Sequence, residues 1–461
     1  MTSAPADAAA LIARIERAPF SRWHIRLRVV VGSATFFDAF DALSLAFVLP
    51  VLVPLWHISP GQVGVLIAVG YLGQFFGALL FGSLAESMGR IRSAAAAVAI
   101  MSVMSLACAI TGTFTALLAC RFVQGIGVGG EMPVAAVYIS ELSKAKGRGR
   151  FFMLYEMIFP VGLMVTGQIG ALLVPAFGWR GMFLVGGVPG LLVTFLLLRL
   201  PESPRWLIAK GRLAEAEAIV RDIEASSGCQ EPPAEPAEPV ANRTAFSGSV
   251  PVPAFAPRSG WSELLSGAYR GRTIVIWTLW SAAYFVTNGL NNWMPTLYNN
   301  VYHLTLRQSL RAATLTNVAQ VVVLIGCALL IDRIGRRRWS VVCFAAGGLL
   351  LALLGLFGAS SVGAVIALVT VSYGITGSVN TVLYLYTPEV YPTRMRAIGT
   401  GAATCWLRLA SGAGPLLVGY IVGAGGIGSV FLMFAAVGVV GALAATRMLE
   451  TRNRRLEDIA V

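Results

Sequence analysis

The chain has 461 residues, of which 56% are hydrophobic and only 12% are charged, and its mean hydropathy is +0.74. Soluble domains carry about 25% charged residues, so this chain has too few to cover a globule of its size with polar groups. The net charge is +13, but the basic residues lie between apolar runs instead of forming one patch, which argues against nucleic-acid binding. The composition therefore predicts a polytopic membrane protein.

Twelve apolar runs are long enough to cross a bilayer, which takes about 20 helical residues. Each is predicted to be a helix, because lipid offers the backbone no hydrogen-bond partners and the runs lack the alternation of barrel strands. Spans 1 to 6 fall near 29–55, 62–83, 94–113, 115–139, 151–174 and 180–199. Spans 7 to 12 fall near 273–298, 312–331, 339–359, 362–387, 397–424 and 428–448.

The distribution of lysine and arginine predicts the orientation, because cytoplasmic loops are enriched in both. With the N-terminus inside, the outer loops receive only Arg180, Arg307 and Arg311. The inner loops and tail then receive Arg90, Arg92, Lys144, Lys146, Arg148, Arg150, Arg333, Arg336, Arg337, Arg338, Arg394, Arg396, Arg447, Arg452, Arg454 and Arg455. Both termini are therefore predicted to be cytoplasmic, in a multi-pass protein of the inner membrane whose N-terminus lacks a signal-peptide layout.

Five segments follow from this topology. Residues 1–28 form a cytoplasmic N-terminal segment, 29–199 a six-helix bundle, 200–272 a cytoplasmic loop, 273–448 a second six-helix bundle, and 449–461 a cytoplasmic tail. Within the loop, the apolar spacing from Leu213 to Ile223 predicts an amphipathic surface helix. The stretch 229–260 is rich in proline, alanine and glutamate, which predicts a mobile, flexible linker.

The two bundles repeat each other in sequence. GSLAESMGR at 82–90 parallels ALLIDRIGR at 328–336, and the pair Glu141 and Arg148 parallels Glu389 and Arg396. A duplicated six-helix unit joined by a cytoplasmic linker suits alternating access, in which two similar bundles rock about a site near the midplane. The fold class is thus predicted as all-α, with twelve transmembrane helices in two pseudo-symmetric bundles.

Several motifs resemble those of the major facilitator superfamily over nearly the whole chain. The two loops above resemble its signature loop, and PESPRW at 201–206 and PEVYPTR at 388–394 resemble its sugar-porter and organic-ion branches. RFVQGIGVGGEMPVAAVYISE in span 4 and DAFD in span 1 are most similar to metabolite:proton symporters, especially niacin transporters and aromatic-acid:proton symporters. The first signature loop departs from the family by carrying Glu86 for the usual aspartate and Ser87 for a basic residue, with its salt bridges expected through Glu86, Arg90 and Arg92.

Ionisable residues at membrane depth are costly and are functional candidates by default. Asp38 and Asp41 share one face of span 1, and Arg121 lies in span 4. The resemblance to sugar symporters implies that Asp41 and Arg121 form the proton-coupling pair, with Asp38 in reserve. The alternative is a static ion pair that braces the first bundle.

Arg408 lies well inside span 11, with no acidic residue within two turns of the helix. A substrate carboxylate would suit its guanidinium, which can make two charge-assisted bonds, and the resemblance to organic-anion transporters implies this role. The alternatives are extension of the side chain to the cytoplasmic edge, or pairing with Glu389.

Neutral groups complete the expected substrate site. Asn288 and Asn291 share a face of span 7 and would suit a hydroxyl, an amide or a ring nitrogen, or would bond helix to helix. Tyr384, Tyr284 and either Phe37 or Phe40 could form a slot for a flat ring. Tyr71 and Gln74 in span 2 are further candidates.

The remaining membrane-edge charges are expected to form gate networks. In particular, Glu131 and Glu156 are expected to pair with Arg148 and Arg150. The full predicted set is Glu86, Arg90, Glu131, Glu141, Arg148, Glu156, Glu202, Arg205, Asp332, Arg336, Glu389 and Arg396.

The sequence is predicted to encode a monomeric, proton-coupled importer of a small organic anion, most simply an aromatic or pyridine carboxylate such as nicotinate. A sugar or polyol symporter and a drug or organic-cation exporter are the alternatives among transporters. A transporter-like receptor lacks a signalling domain. A membrane enzyme lacks a nucleotide loop or nucleophile–base pair. No metal or other cofactor is expected, because the six cysteines form no CxxC pair and the three histidines lie at helix ends.

Overall fold

The computed structural model describes residues 8–19, 21–142, 157–227, 261–267, 269–358, 361–391 and 395–452. All regular elements in these ranges are α-helices. The first half contains α1 (Ala8–Arg17), α2 (Arg22–Trp56), α3 (Pro60–Met88), α4 (Arg90–Ile110), α5 (Phe114–Glu141), α6 (Ile158–Phe177) and α7 (Trp179–Leu198). Next come α8 (Pro204–Ala209), α9 (Leu213–Ser227) and α10 (Trp261–Leu264), and then α11 (Arg270–Asn300), α12 (Leu306–Ile334), α13 (Arg336–Phe357), α14 (Val362–Val390) and α15 (Arg396–Thr446).

Ten of the described helices are long and apolar enough to cross a membrane. The last of them, α15, is interrupted at Gly426, where φ is +72°, so it consists of two helical segments. The asparagine-rich helix α11 has 31 residues but is not among the ten. Each predicted span falls on a helix where it is described, with spans 11 and 12 both in α15, and residues 151–156 of span 5 lie outside the described residues.

The internal repeat appears in the backbone as matched turns. Gly89 and Gly335, with φ of +104° and +91°, separate α3 from α4 and α12 from α13. His57 and His303 follow α2 and α11, and among the described residues they are the only non-glycine residues with positive φ. We name the two ends of the bundle after these turns, the Gly89 end and the His57 end.

Among the described residues, the buried cluster that contains residues of both halves lies at the His57 end. There, Leu49 and Leu66 of the first half belong to one buried cluster with Leu297 and Phe431 of the second. At the Gly89 end each half has its own cluster, represented by Val31 in the first half and by Phe344 in the second. The halves are therefore joined by apolar packing at the His57 end, while their Gly89 ends are packed separately.

Glycines allow the closest helix contact in the first half, between α3 and α5. A Cβ atom on Gly77 would overlap the carbonyl oxygen of Ile126, and one on Gly73 would overlap that of Phe122. Small residues permit such backbone approach, which strengthens dispersion contacts between helices in lipid. In contrast, a Cβ on Gly82 of the same helix would meet nothing within 4 Å.

A small helical layer covers the Gly89 end of the first half. The helical spacing predicted from Leu213 to Ile223 corresponds to α9, whose Val220 packs with Leu11 of α1. Arg14 of α1 pairs with Glu224 of α9 at 2.6 Å. The sequence reading missed α1 and α8. The predicted linker 229–260 lies outside the described residues.

Candidate functional site

A cavity of about 110 Å³ lies between the two halves. Its lining residues come from α2, α3, α5 and α6 of the first half and from α11, α12, α14 and α15 of the second. The lining residues that the sequence singled out are Asp38, Tyr71, Gln74, Tyr284, Asn288, Asn291, Tyr384 and Arg408.

Arg408 is 7% exposed on the cavity wall. Its guanidinium donates to the carbonyl oxygens of Thr404 at 3.3 Å and of Gly129, in the other half, at 3.2 Å. Its Nε has no hydrogen-bond partner, and no described carboxylate lies within ion-pair distance. Glu389 instead contacts Arg336 and Thr451. Both alternatives for Arg408, extension to the membrane edge and pairing with Glu389, were wrong for this structure.

An amide network crosses the cavity between the halves. The hydroxyl of Tyr71 on α3 donates to Asn288 Oδ1 at 3.0 Å and accepts from Asn292 Nδ2 at 3.2 Å. Asn288 Nδ2 donates to Ser411 Oγ at 2.8 Å. Asn288 thus makes helix–helix hydrogen bonds while it lines the cavity.

Aromatic rings form one side of the cavity, around Trp280. Tyr284 stacks on Trp280 with ring centroids 5.6 Å apart. Tyr384 contacts Trp280 edge-on, with ring centroids 4.6 Å apart. Trp280 is itself held by a hydrogen bond from Nε1 to Thr387 Oγ1 at 2.9 Å. Phe40 does not take part: it is fully buried in the core and does not line the cavity, and Phe37 lies on a separate lateral groove.

The sequence reading missed further polar residues on the cavity wall. Tyr373 donates to Gln320 Oε1 at 3.0 Å, and Asn380 Nδ2 donates to Thr287 Oγ1 at 3.2 Å. Asn380 Oδ1 has no partner among the described residues. Gln320 and Asn380 could have been found from the sequence, because amide side chains at membrane depth are rare and face the bundle interior.

The predicted pair Asp41 and Arg121 lies behind the cavity wall, within the first half. Arg121 donates to the backbone carbonyl of Asp41 at 3.4 Å and to Gln124 Oε1 at 2.7 Å, instead of to the Asp41 carboxylate. Asp41 Oδ1 accepts from Ser105 at 3.1 Å. Asp41 is 1% exposed and is not on the cavity wall, whereas Asp38 is. Ser105 and Gln124 were missed.

Glu131 was predicted to pair with Arg148 and Arg150 in a gate, and both arginines lie outside the described residues. Glu131 itself is fully buried, and its Oε1 accepts from Thr35 Oγ1 at 3.0 Å. Thr35 lies one turn before Asp38 on α2, so Glu131 sits beside the cavity-facing carboxylate. Glu131 is buried because it lies almost three turns before α5 ends at Glu141.

The other gate candidates form a network at the Gly89 end of each half. In the first half, Arg90 pairs with Glu86 at 2.9 Å and with Glu141 at 3.0 Å. Glu202 accepts from the backbone N–H of Arg90 at 2.9 Å, and Arg205 donates to the carbonyl oxygen of Glu141 at 2.9 Å. An acid at a helix N-terminus satisfies otherwise unpaired backbone donors.

The second half repeats this arrangement. Arg336 pairs with Asp332 at 3.0 Å and with Glu389 at 3.4 Å, while Glu450 accepts from the backbone N–H of Arg336 at 3.1 Å. Glu450 therefore has the same role in the second half as Glu202 in the first. The sequence analysis did not identify Glu450 as a candidate. Each of these ion pairs lies within one half. Arg148 and Glu156 lie outside the described residues, as does the side chain of Arg396.

Comparison with known proteins decides the family. The family model described as "Sugar (and other) transporter" matches residues 44–461. The niacin transporter NiaP of Acinetobacter baylyi is 32% identical over 459 residues, covering 98% of this chain and 100% of the relative. The chain belongs to the sugar (and other) transporter family. It is therefore a multi-pass membrane transporter of the major facilitator superfamily and not an enzyme, as its motifs predicted.

Other members of the family show the same relationship. A gallate transporter of Pseudomonas putida is 28% identical, covering 96% of this chain and 95% of the relative. The xylose transporter XylE of E. coli, in a structure described as partially occluded and inward open, superposes with a TM-score of 0.72 at 18% identity, covering 94% of this chain and 100% of that one. The latter likeness establishes the fold, which the two chains share over nearly their whole length.

Proposed function

We propose that this transporter imports a small organic anion together with a proton, and that the anion is an aromatic or pyridine carboxylate such as nicotinate. The observation that carries the proposal is Arg408, a buried cation on the cavity wall without a carboxylate partner among the described residues. A planar guanidinium can bind a carboxylate through two charge-assisted hydrogen bonds. Its carbonyl contacts leave Nε available for a substrate oxygen.

The rest of the cavity supports a flat ring with polar substituents. Tyr284 and Tyr384 offer aromatic faces, while Asn288 and Asn291 offer donors and acceptors to a ring nitrogen or hydroxyl. The names of relatives point the same way, since they include a niacin transporter, a gallate transporter and a 4-hydroxybenzoate transporter.

A sugar or polyol symporter is the rival that the family name favours. The amide network would suit hydroxyl groups, but a neutral sugar would offer Arg408 no carboxylate to accept its charge-assisted hydrogen bonds. An organic cation would be repelled by the same residue. The anion is therefore the substrate class that satisfies the cavity best.

A screen of purified protein against nicotinate, nicotinamide, 4-hydroxybenzoate, xylose and an organic amine tests this proposal by thermal unfolding. A ligand that binds the folded state at 100 times its Kd adds about 2.7 kcal/mol to the unfolding free energy. The carboxylates are expected to raise the unfolding temperature, and the neutral and cationic compounds are not. Stabilisation by xylose alone would favour the sugar symporter.

We further propose twelve spans in an inner membrane: nine single-span helices among the ten candidates, the two segments of α15, and α11. The Gly89 end would be cytoplasmic, because the basic loops gather there. Since apolar packing joins the halves at the His57 end, the cavity would face the cytoplasm in this conformation.

This topology predicts opposite labelling, in intact cells, of two variants that each add one cysteine to the native six. Gly112→Cys lies in an exposed position between α4 and α5 at the His57 end, and Ala214→Cys lies on the exposed face of α9. A membrane-impermeant thiol reagent added outside should label Gly112→Cys and leave Ala214→Cys unlabelled until the cells are opened. The native protein is the control for background labelling of its own cysteines. The reverse pattern would place the Gly89 end outside.

A further inference from the structure

A buried hydrogen-bond acceptor without a partner belongs to Asn380, one of the residues of α14 that line the cavity. Asn380 Nδ2 donates to Thr287 Oγ1 on α11 at 3.2 Å. The Thr287 hydroxyl in turn donates to the carbonyl oxygen of Ala283 at 2.8 Å, so its oxygen is left to accept from the amide. These two hydrogen bonds fix the orientation of the amide, and Oδ1 remains without a partner among the described residues.

The aromatic side of the cavity adjoins this acceptor. Tyr384 follows Asn380 by four residues on α14, which places the two side chains one turn apart on the same helix face. Tyr284 precedes Thr287 by three residues on α11, with the same consequence. Both tyrosines line the cavity, and both contact Trp280. A flat ring that packs against these tyrosines can therefore reach Asn380 with a substituent on its edge.

The chemistry of an unpaired acceptor selects the kind of substituent. A buried carbonyl oxygen without a donor is costly, because it has lost its hydrogen bonds to water. A hydroxyl group on the ring would supply the missing donor. The ring nitrogen of nicotinate carries no proton at neutral pH and can only accept, and the ring of benzoate offers no polar group. Among aromatic carboxylates, a hydroxylated ring is therefore the one that satisfies Asn380 Oδ1.

We propose that Asn380 determines specificity, and that it favours aromatic carboxylates that carry a ring hydroxyl over those that lack one. The proposal rests on the proposed function, because an aromatic carboxylate must occupy the cavity. In this arrangement Arg408 binds the carboxylate, Tyr284 and Tyr384 hold the ring, and Asn380 Oδ1 accepts the hydrogen bond of the hydroxyl group. Each end of the substrate then meets a side chain of matching chemistry.

The test measures binding of benzoate, 3-hydroxybenzoate, 4-hydroxybenzoate and nicotinate to the purified protein at neutral pH, where the hydroxyl groups keep their protons. In wild type, at least one hydroxybenzoate should bind about threefold to tenfold more tightly than benzoate, the usual gain from one hydrogen bond. Asn380→Leu has a similar shape without the acceptor. It should lose this preference while it binds benzoate and nicotinate as wild type does. Val371→Ala, at a half-exposed position of the same helix, should keep the preference.

Equal binding of benzoate and both hydroxybenzoates by wild type would overturn the proposal. So would a preference that persists in a folded Asn380→Leu, or an equal loss of affinity for all four acids, which would make Asn380 structural. If Asn380→Leu does not fold, Asn380→Ala also lacks the acceptor and takes its place. These outcomes leave the proposed function standing, because the acids still bind wild type. Absence of binding of all four acids by wild type would instead overturn the proposed function, and this proposal with it.

Discussion

Arg408→Ala is expected to weaken nicotinate binding from the micromolar to the millimolar range or beyond. Removing one member of a buried charge pair costs about 3–5 kcal/mol, because the remaining charge is left without a partner in a site of low polarity. Here the remaining charge would be the carboxylate of the substrate, and 1.4 kcal/mol corresponds to about tenfold in Kd. Calorimetric or equilibrium binding to purified protein measures the change.

Three comparisons separate charge selection from loss of fold. Arg408→Lys should restore part of the affinity, because a point charge cannot reproduce the two-pronged contact of a guanidinium. Arg311→Ala, an exposed arginine on α12, should bind nicotinate like wild type. Nicotinamide should bind wild type poorly, since it has no charge. Equal binding of nicotinate by wild type and a folded Arg408→Ala would make Arg408 structural and favour the sugar symporter.

Gly77→Ala is expected to be strongly destabilising although it adds only a methyl group. The Cβ would overlap the carbonyl oxygen of Ile126, and backbone atoms in the α3–α5 contact can move apart only by separating the two helices. Inserting atoms into a close-packed interior costs about 1–3 kcal/mol or more. The unfolding temperature in detergent should fall, and the yield of folded protein with it.

Gly82→Ala is the matched control on the same helix. Nothing lies within 4 Å of its added Cβ, so the substitution lacks a steric penalty. Alanine in place of a helical glycine stabilises by about 0.4–1 kcal/mol when the native conformation accepts it. An unfolding temperature for Gly77→Ala equal to that of Gly82→Ala would contradict the close contact of α3 with α5.

The network at the Gly89 end shows how sequence repeats and tertiary structure contribute differently. The repeated loops made Arg90 and Arg336 recognisable as equivalent, and each pairs with an acid four residues earlier in its own half. Glu202 and Glu450 were not recognised as equivalent, because the short segments around them share no motif. Their equivalence is visible in their common action, which is to bind the first backbone N–H groups of α4 and α13.

The sequence by itself determined the membrane class, the helical spans and the family. These properties follow from the order of residues along the chain. Long apolar runs are incompatible with a water-soluble fold, and the loop motifs repeat at corresponding places in both halves. It also identified Asp38, Asn288, Asn291, Tyr284, Tyr384 and Arg408, because polar and aromatic groups at membrane depth are rare enough to notice.

Only the tertiary structure decided which of these groups face one another. Asp38 and Asp41 are one turn apart on α2, yet Asp38 lines the cavity while Asp41 packs against Ser105. That difference depends on the rotation of α2 against its neighbours, which packing decides and no spacing within one helix reveals. Asp38 and Arg408 line the same cavity from helices distant in sequence, so they come together only once the two halves are assembled.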